Sequence, residues 1–130
     1  MKSQISFRTS LFDSKALNTP VSVDRHYGED LAQWMSKKAV GGEFEFGKPF
    51  QSTRGWSDRV TVDGEHFLLG FGLGAKSLDA DYAEWIITIE KPKRFGVFGS
   101  KDSASRGRLC DLIHNVLRDE RGVREVQWSE

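Results

Sequence analysis

A chain of 130 residues with zero formal net charge, 38% hydrophobic and 29% charged, is sized and balanced for one globular domain with its own core. That balance excludes wholesale disorder, and the absence of net charge removes any general attraction to nucleic acid or an anionic membrane. A single cysteine, Cys110, excludes an internal disulfide framework and fits a reducing compartment.

No apolar run approaches the ~20 residues that span a bilayer, and the first residues lack the continuous apolar stretch of a secretion signal. The expectation is a single domain over residues 1–130, resident in the cytoplasm and not associated with a membrane. In chain order, Ile5, Phe7, Thr9 and Leu11 alternate with Ser6, Arg8, Ser10 and Phe12, which predicts a first strand over residues 5 to 12, placed at a sheet edge. Residues 13 to 24 are rich in Ser, Asn, Thr and Pro and read as a loop, with a short extended piece at Val21 to Val23. From Gly28 to Val40 the spacing of Leu31, Trp34, Met35 and Ala39 predicts a helix, with Glu29 and Asp30 in its first turn and Lys37 and Lys38 in its last. Gly41 and Gly42 end it. Residues 43 to 50 alternate Glu43 and Glu45 with Phe44 and Phe46 and then meet Gly47 and Pro49, a half-buried strand that bends.

The strongest local signal follows. Asp63-Gly64 suits the positive φ angles of a two-residue type I′ turn, with β-branched and aromatic residues on both sides, so residues 56 to 74 predict a β-hairpin. Its register pairs Val62 with Glu65, Val60 with Phe67, Asp58 with Leu69 and Trp56 with Phe71, collecting the large apolar groups on one face. The other face carries Ser57, Arg59 and Thr61 against His66, Leu68, Gly70 and Gly72, a polar surface that thins to bare backbone. After an acidic connection, Trp85, Ile87 and Ile89 mark another strand; residues 91 to 102 read as a loop or a short irregular strand. Leu109, Leu112, Ile113, Val116 and Leu117 form the stripe of a second helix, capped by Ser103 or Ser105 and ended at a left-handed Gly122, before a last strand from Val123 to Trp128. The order β-α-β-β-β-β-α-β predicts an α+β fold with a mostly antiparallel sheet of five to six strands and two helices.

Few of these residues form a recognisable chemical constellation. Cys110 and His114 are spaced to share a helical face, but two ligands fall short of the three or four of a zinc site, and a helix-flanking cysteine serves as a small apolar filler. Asp79, Asp81 and Glu84 lack the spacing of a calcium loop. No metal or cofactor is expected. Asp58 is the odd residue of the hairpin, since its register points it at the apolar face, where an unpaired carboxylate is costly. Either a bulge, a water or Arg54 satisfies it near the strand end, or it lines a concave site between sheet and helix with Trp56, Tyr82 or Trp85. Lys91, Lys93, Arg94, Lys101, Arg106 and Arg108 stand against one acid, Asp102, over residues 91 to 108. With Gly96, Gly99 and a helix N-terminus beyond, that segment could hold an anion, although it lacks P-loop spacing. Trp34, Trp56 and Trp85 fall on apolar faces, whereas Trp128 near the C-terminus is a candidate for a partner surface.

Gly55-Trp56, the strand-turn-strand at Asp63-Gly64, the run Trp85-Ile86-Ile87-Thr88-Ile89-Glu90, a leucine-rich helix and Val126-Gln127-Trp128 together resemble small bacterial α+β proteins of unassigned function, over residues 55 to 128. Some proteins of that size and plainness are immunity proteins, which neutralise a toxin by covering its active site, and the resemblance implies such a role as an expectation. Type III secretion chaperones share the size and mixed content but are acidic. Three functional readings stand in order. The first is a cytoplasmic protein-binding domain of toxin-neutralising type, with complementary charge in segments 79–84 and 91–108. The second is a ligand-binding or enzymatic domain with a site between sheet and helix, using Asp58, Arg59 and His66 or the 91–108 loop. The third is phosphate or nucleic-acid binding through segment 91–108, which lacks aromatic stacking platforms beyond Phe95 and Phe98.

Overall fold

The protein is described here from a computed structural model, in which residues 3–12, 28–39, 43–52, 55–74, 83–91 and 104–129 are described. The elements are β1 (Gln4–Thr9), α1 (Glu29–Lys38), β2 (Phe44–Phe46), β3 (Phe50–Ser52), β4 (Gly55–Val62), β5 (Glu65–Leu73), β6 (Ala83–Glu90), α2 (Ala104–Arg118) and β7 (Val123–Ser129). They form an α+β fold with one antiparallel sheet in the order β2-β4-β5-β6-β1-β7, with β3 also paired to β4.

The β4–β5 hairpin organises the rest. Asp63 and Gly64 both take left-handed φ angles, 51° and 80°, so the turn closes as their residue types dictate. The pairs Val62/Glu65, Val60/Phe67, Asp58/Leu69 and Trp56/Phe71 form as the turn requires. Val60, Val62, Phe67, Leu69 and Phe71 are buried on one face. Their burial contributes on the order of 10 kcal/mol before chain entropy is counted, which outweighs the cost of carrying Asp58 among them.

Both helices cover that face. Leu31, Ala32 and Met35 of α1, with Ala39 just beyond it, and Leu109, Cys110, Ile113 and Leu117 of α2 close one core with Ile5, Phe7, Trp85, Ile87 and Ile89. Gly28 seats the start of α1 on β5: its φ is 121°, and a Cβ there would come 2.8 Å from the Phe71 carbonyl oxygen.

Four expectations are corrected. The first strand is internal rather than at an edge, because β1 pairs with β6 on one side and β7 on the other. Its alternation stops at Thr9; the chain then bends, leaving Leu11 48% exposed and Phe12 buried. The strand expected over residues 43 to 50 is two pieces, raising the strand total to seven. Phe46 pairs Val60 while Phe50 pairs Ser57, so residues 47 to 49 face only two residues of β4 and one is extra. Finally, Gly122 takes no left-handed φ; the helix ends at Arg118, and the Gly122 carbonyl instead accepts the Thr9 hydroxyl at 2.7 Å. The extended piece at Val21 to Val23, the glycine pair at 41 and 42, and Ser103 lie outside the described residues.

Candidate functional site: the helix-free face of the sheet

Strand alternation sends every second residue away from the helices, and among the described residues no helix lies on that side. Three rows cross it. Thr61 and His66 face each other near the turn; Arg59, Leu68 and Glu90 form the next row; Ser57, Gly70, Thr88 and Gln4 form the third. Beyond them Gly72 sits beside Ile86, and Ile86 beside Ser6. An open cavity of about 540 Å³ is set into this surface, with Ser52, Ser57, Leu68, Gly70, Gly72, Ile86, Thr88, Glu90 and Gln4 in its lining. Gly70 is explained by its neighbour, because a Cβ there would lie 2.5 Å from Thr88 Oγ1. The two glycines make the floor bare backbone.

At the rim, Phe50 is 38% exposed and the Arg59 guanidinium lies 5.5 Å from its ring centroid. That is cation–π distance, and it turns Arg59 toward β3. His66 is exposed, with Nδ1 3.0 Å from the Thr61 hydroxyl. Arg59 and His66, both anticipated as surface candidates, thus share the helix-free face.

Asp58 does not join them. It is fully buried on the opposite face, and neither carboxylate oxygen closes a hydrogen bond. Burial pushes its carboxyl up from 3.8 to about 6, while the nearby amides of Arg59 and Gly47 pull it back in part. Those amides stand close without meeting hydrogen-bond geometry; the Gly47 N–H is already given to the Arg59 carbonyl at 2.8 Å. No charged side chain is among the causes of the shift. The side of the sheet on which a ligand site was anticipated is therefore filled by core, and the cavity lies on the other.

Two further candidates are engaged within the fold. Arg106 is buried, with Nη2 donating to the Ile89 carbonyl at 3.0 Å, so this cation ties α2 to β6. Its position three residues before Leu109 places it on the buried stripe. Trp128 is half-buried on the core side of β7, its Nε1 donating to His114 Nδ1 at 3.2 Å with the rings stacked. It fastens β7 to α2. Arg108 reaches Glu43 at 3.7 Å and Asp63, clipping the hairpin turn to α2. Lys93, Arg94, Lys101, Asp79, Asp81, Tyr82 and Arg54 lie outside the described residues.

Among the described residues no group of three or more His, Cys, Asp or Glu side chains could hold a metal ion, and no helix is long and apolar enough to cross a membrane. No family model, curated protein or solved structure matches the chain. The cavity residues must therefore be read from their own chemistry. Sequence reasoning placed Ser57, Leu68, Gly70 and Gly72 on one face but missed Phe50, Gln4, Ser52, Ile86, Thr88 and Glu90. The last three alternate with Trp85, Ile87 and Ile89, so the signal was present in β6.

Proposed function

We propose that the protein is a small cytoplasmic protein-binding domain that receives its partner on the helix-free face of the sheet, in a role of the toxin-neutralising immunity type. The observation that carries the reading is the surface itself: an exposed aromatic ring under a guanidinium, half-buried Leu68 and Ile86, and an open cavity on an otherwise polar sheet. Aromatic and arginine side chains around an apolar centre are what protein interfaces use as anchors. The buried lone cysteine fits the reducing compartment that the reading assumes.

The test is co-expression with the products of adjacent genes, followed by gel filtration and hydrogen exchange. A stoichiometric complex that protects β4, β5 and β6 and is lost in Phe50→Ala with Arg59→Glu supports the reading. A complex whose protection falls on α1 and α2, or no complex with any of those products, refutes it.

A further inference from the structure

The cavity has a chemistry more specific than its surface. Its described polar lining is neutral, Gln4, Ser52, Ser57 and Thr88, apart from one carboxylate, Glu90, and no cation is among those described residues. Arg59, the nearest guanidinium in register, is turned onto Phe50. Among the described lining residues a phosphate, sulfate or carboxylate finds nothing to neutralise it. Glu90 is exposed, and no ion pair joins it to another described residue, whereas the adjacent Lys91 is engaged by Glu65 at 2.7 Å. Leu68 and Ile86 supply apolar contact beside the bare backbone of Gly70 and Gly72, where an incoming chain can approach closely.

An apolar track with hydroxyls along it and an acid at its end fits one kind of side chain. We propose that the protein partner is anchored by an arginine, whose stem lies beside Leu68 over Gly70 and Thr88 and whose guanidinium meets the Glu90 carboxylate, while Ile86 and Gly72 take the partner's neighbouring apolar groups. The proposal rests on the protein-binding reading of this face. From Thr88 to Glu90 is a two-residue step of about 6.6 Å along the strand, which a guanidinium on its three-carbon stem spans. The planar fork donates to Glu90 and at the same time to the oxygens of Thr88 or Gln4, which a lysine ammonium does with less fixed geometry.

The experiment titrates N-acetyl-arginine amide into the isotope-labelled full chain and follows the backbone amides, with N-acetyl-citrulline amide as neutral isostere and inorganic phosphate as the anion arm. The arginine probe should shift Leu68, Gly70, Gly72, Thr88 and Glu90 and bind about fivefold more tightly than citrulline, the upper range for a solvent-exposed ion pair. Glu90→Gln should make the two probes equal, and Glu90→Arg should abolish both. Because residue 90 is exposed at the end of β6, an unchanged amide spectrum elsewhere certifies the fold of each variant. Equal binding of citrulline to the unaltered chain, shifts outside the cavity, binding of phosphate there, or no shift with any probe overturns the anchor. If the probes fail while a partner complex still protects β4, β5 and β6, the anchor falls and the protein-binding reading stands; protection over the helices removes both.

Discussion

Replacing Asp58 by Asn tests whether a buried, unbonded carboxylate is being carried at a cost. Raising a carboxyl from 3.8 to about 6 means that the folded protein holds the proton more tightly than the unfolded chain does. Stability from this group is therefore fully present below the unfolded pKa and is lost as pH rises through about 6; above that it is constant. The size of the loss is about 3 kcal/mol, from 1.36 kcal/mol per pH unit. Asn removes the charge at every pH but brings two N–H donors that also need partners, at about 1–3 kcal/mol. The absolute stability of the variant is thus a poor readout, while the difference between two pH values is a clean one. Urea unfolding at pH 4 and pH 7.5 should show Asp58→Asn gaining about 2 kcal/mol relative to the parent between the two conditions, because pH 4 already lies just above the unfolded pKa, or roughly 10 °C in relative Tm for a domain of this size. Other carboxylates titrate in the same window but cancel in the comparison. A variant whose difference from the parent is the same at both pH values, or a carboxyl-carbon titration of Asp58 with its midpoint below about 4.5, refutes the argument.

The remaining predictions concern what holds the sheet to its helices. Gly28→Ala should cost more than Gly64→Ala in urea unfolding: both impose a side chain on a positive φ, but only at Gly28 does the new Cβ collide, 2.8 Å from a carbonyl oxygen, while at Gly64 nothing lies within 4 Å. The Gly64 change should cost about 1–2 kcal/mol. Trp128→Phe keeps an aromatic ring, though a smaller one, and loses the bond to His114, and should cost at least about 1 kcal/mol with faster hydrogen exchange concentrated in β7. Arg106→Met keeps the stem but removes the donor to the Ile89 carbonyl, and should cost about 2 kcal/mol while leaving probe binding in the cavity unchanged.

How much of this was legible depends on how local the determining interaction is. The hairpin was fully readable because two adjacent residues, Asp63 and Gly64, set every pair along it. The inward aim of Asp58 followed from the same register. The place of β1 was not readable, since it rests on pairs such as Gln4 with Thr88 and Ile5 with Trp128, whose sequence separation leaves no local trace. Phe50 shows a different failure. Continuing the alternation of Phe44 and Phe46 puts it on the core side, but the extra residue among 47 to 49 reverses the parity, so it emerges on the face opposite to Phe46. Arg106 was misread because charge was weighed above helical spacing, and the spacing prevailed.

The same geometry argues for the face of the sheet over its edges as the way in for a partner. Strand addition needs a long, regular edge with free backbone groups. At one side the outer position is shared by β2 and β3, three residues each with the bulge between them. At the other, β7 is seven residues long, but Glu125 takes a φ of 54°, the register against β1 shifts between Ser6 and Arg8, and Glu125 is held by Arg8 at 2.9 Å. Both edges are interrupted where a new strand would have to run straight. The helix-free face has no such obstacle among the described residues, and its floor thins to glycine in the second half of β5, where strand propensity alone would favour a β-branched or aromatic side chain. Thr88 accounts for Gly70. Gly72, one residue from the end of β5, adds a second stretch of bare backbone to the lining of the open cavity, and such a floor fits a surface that takes up another molecule's side chain.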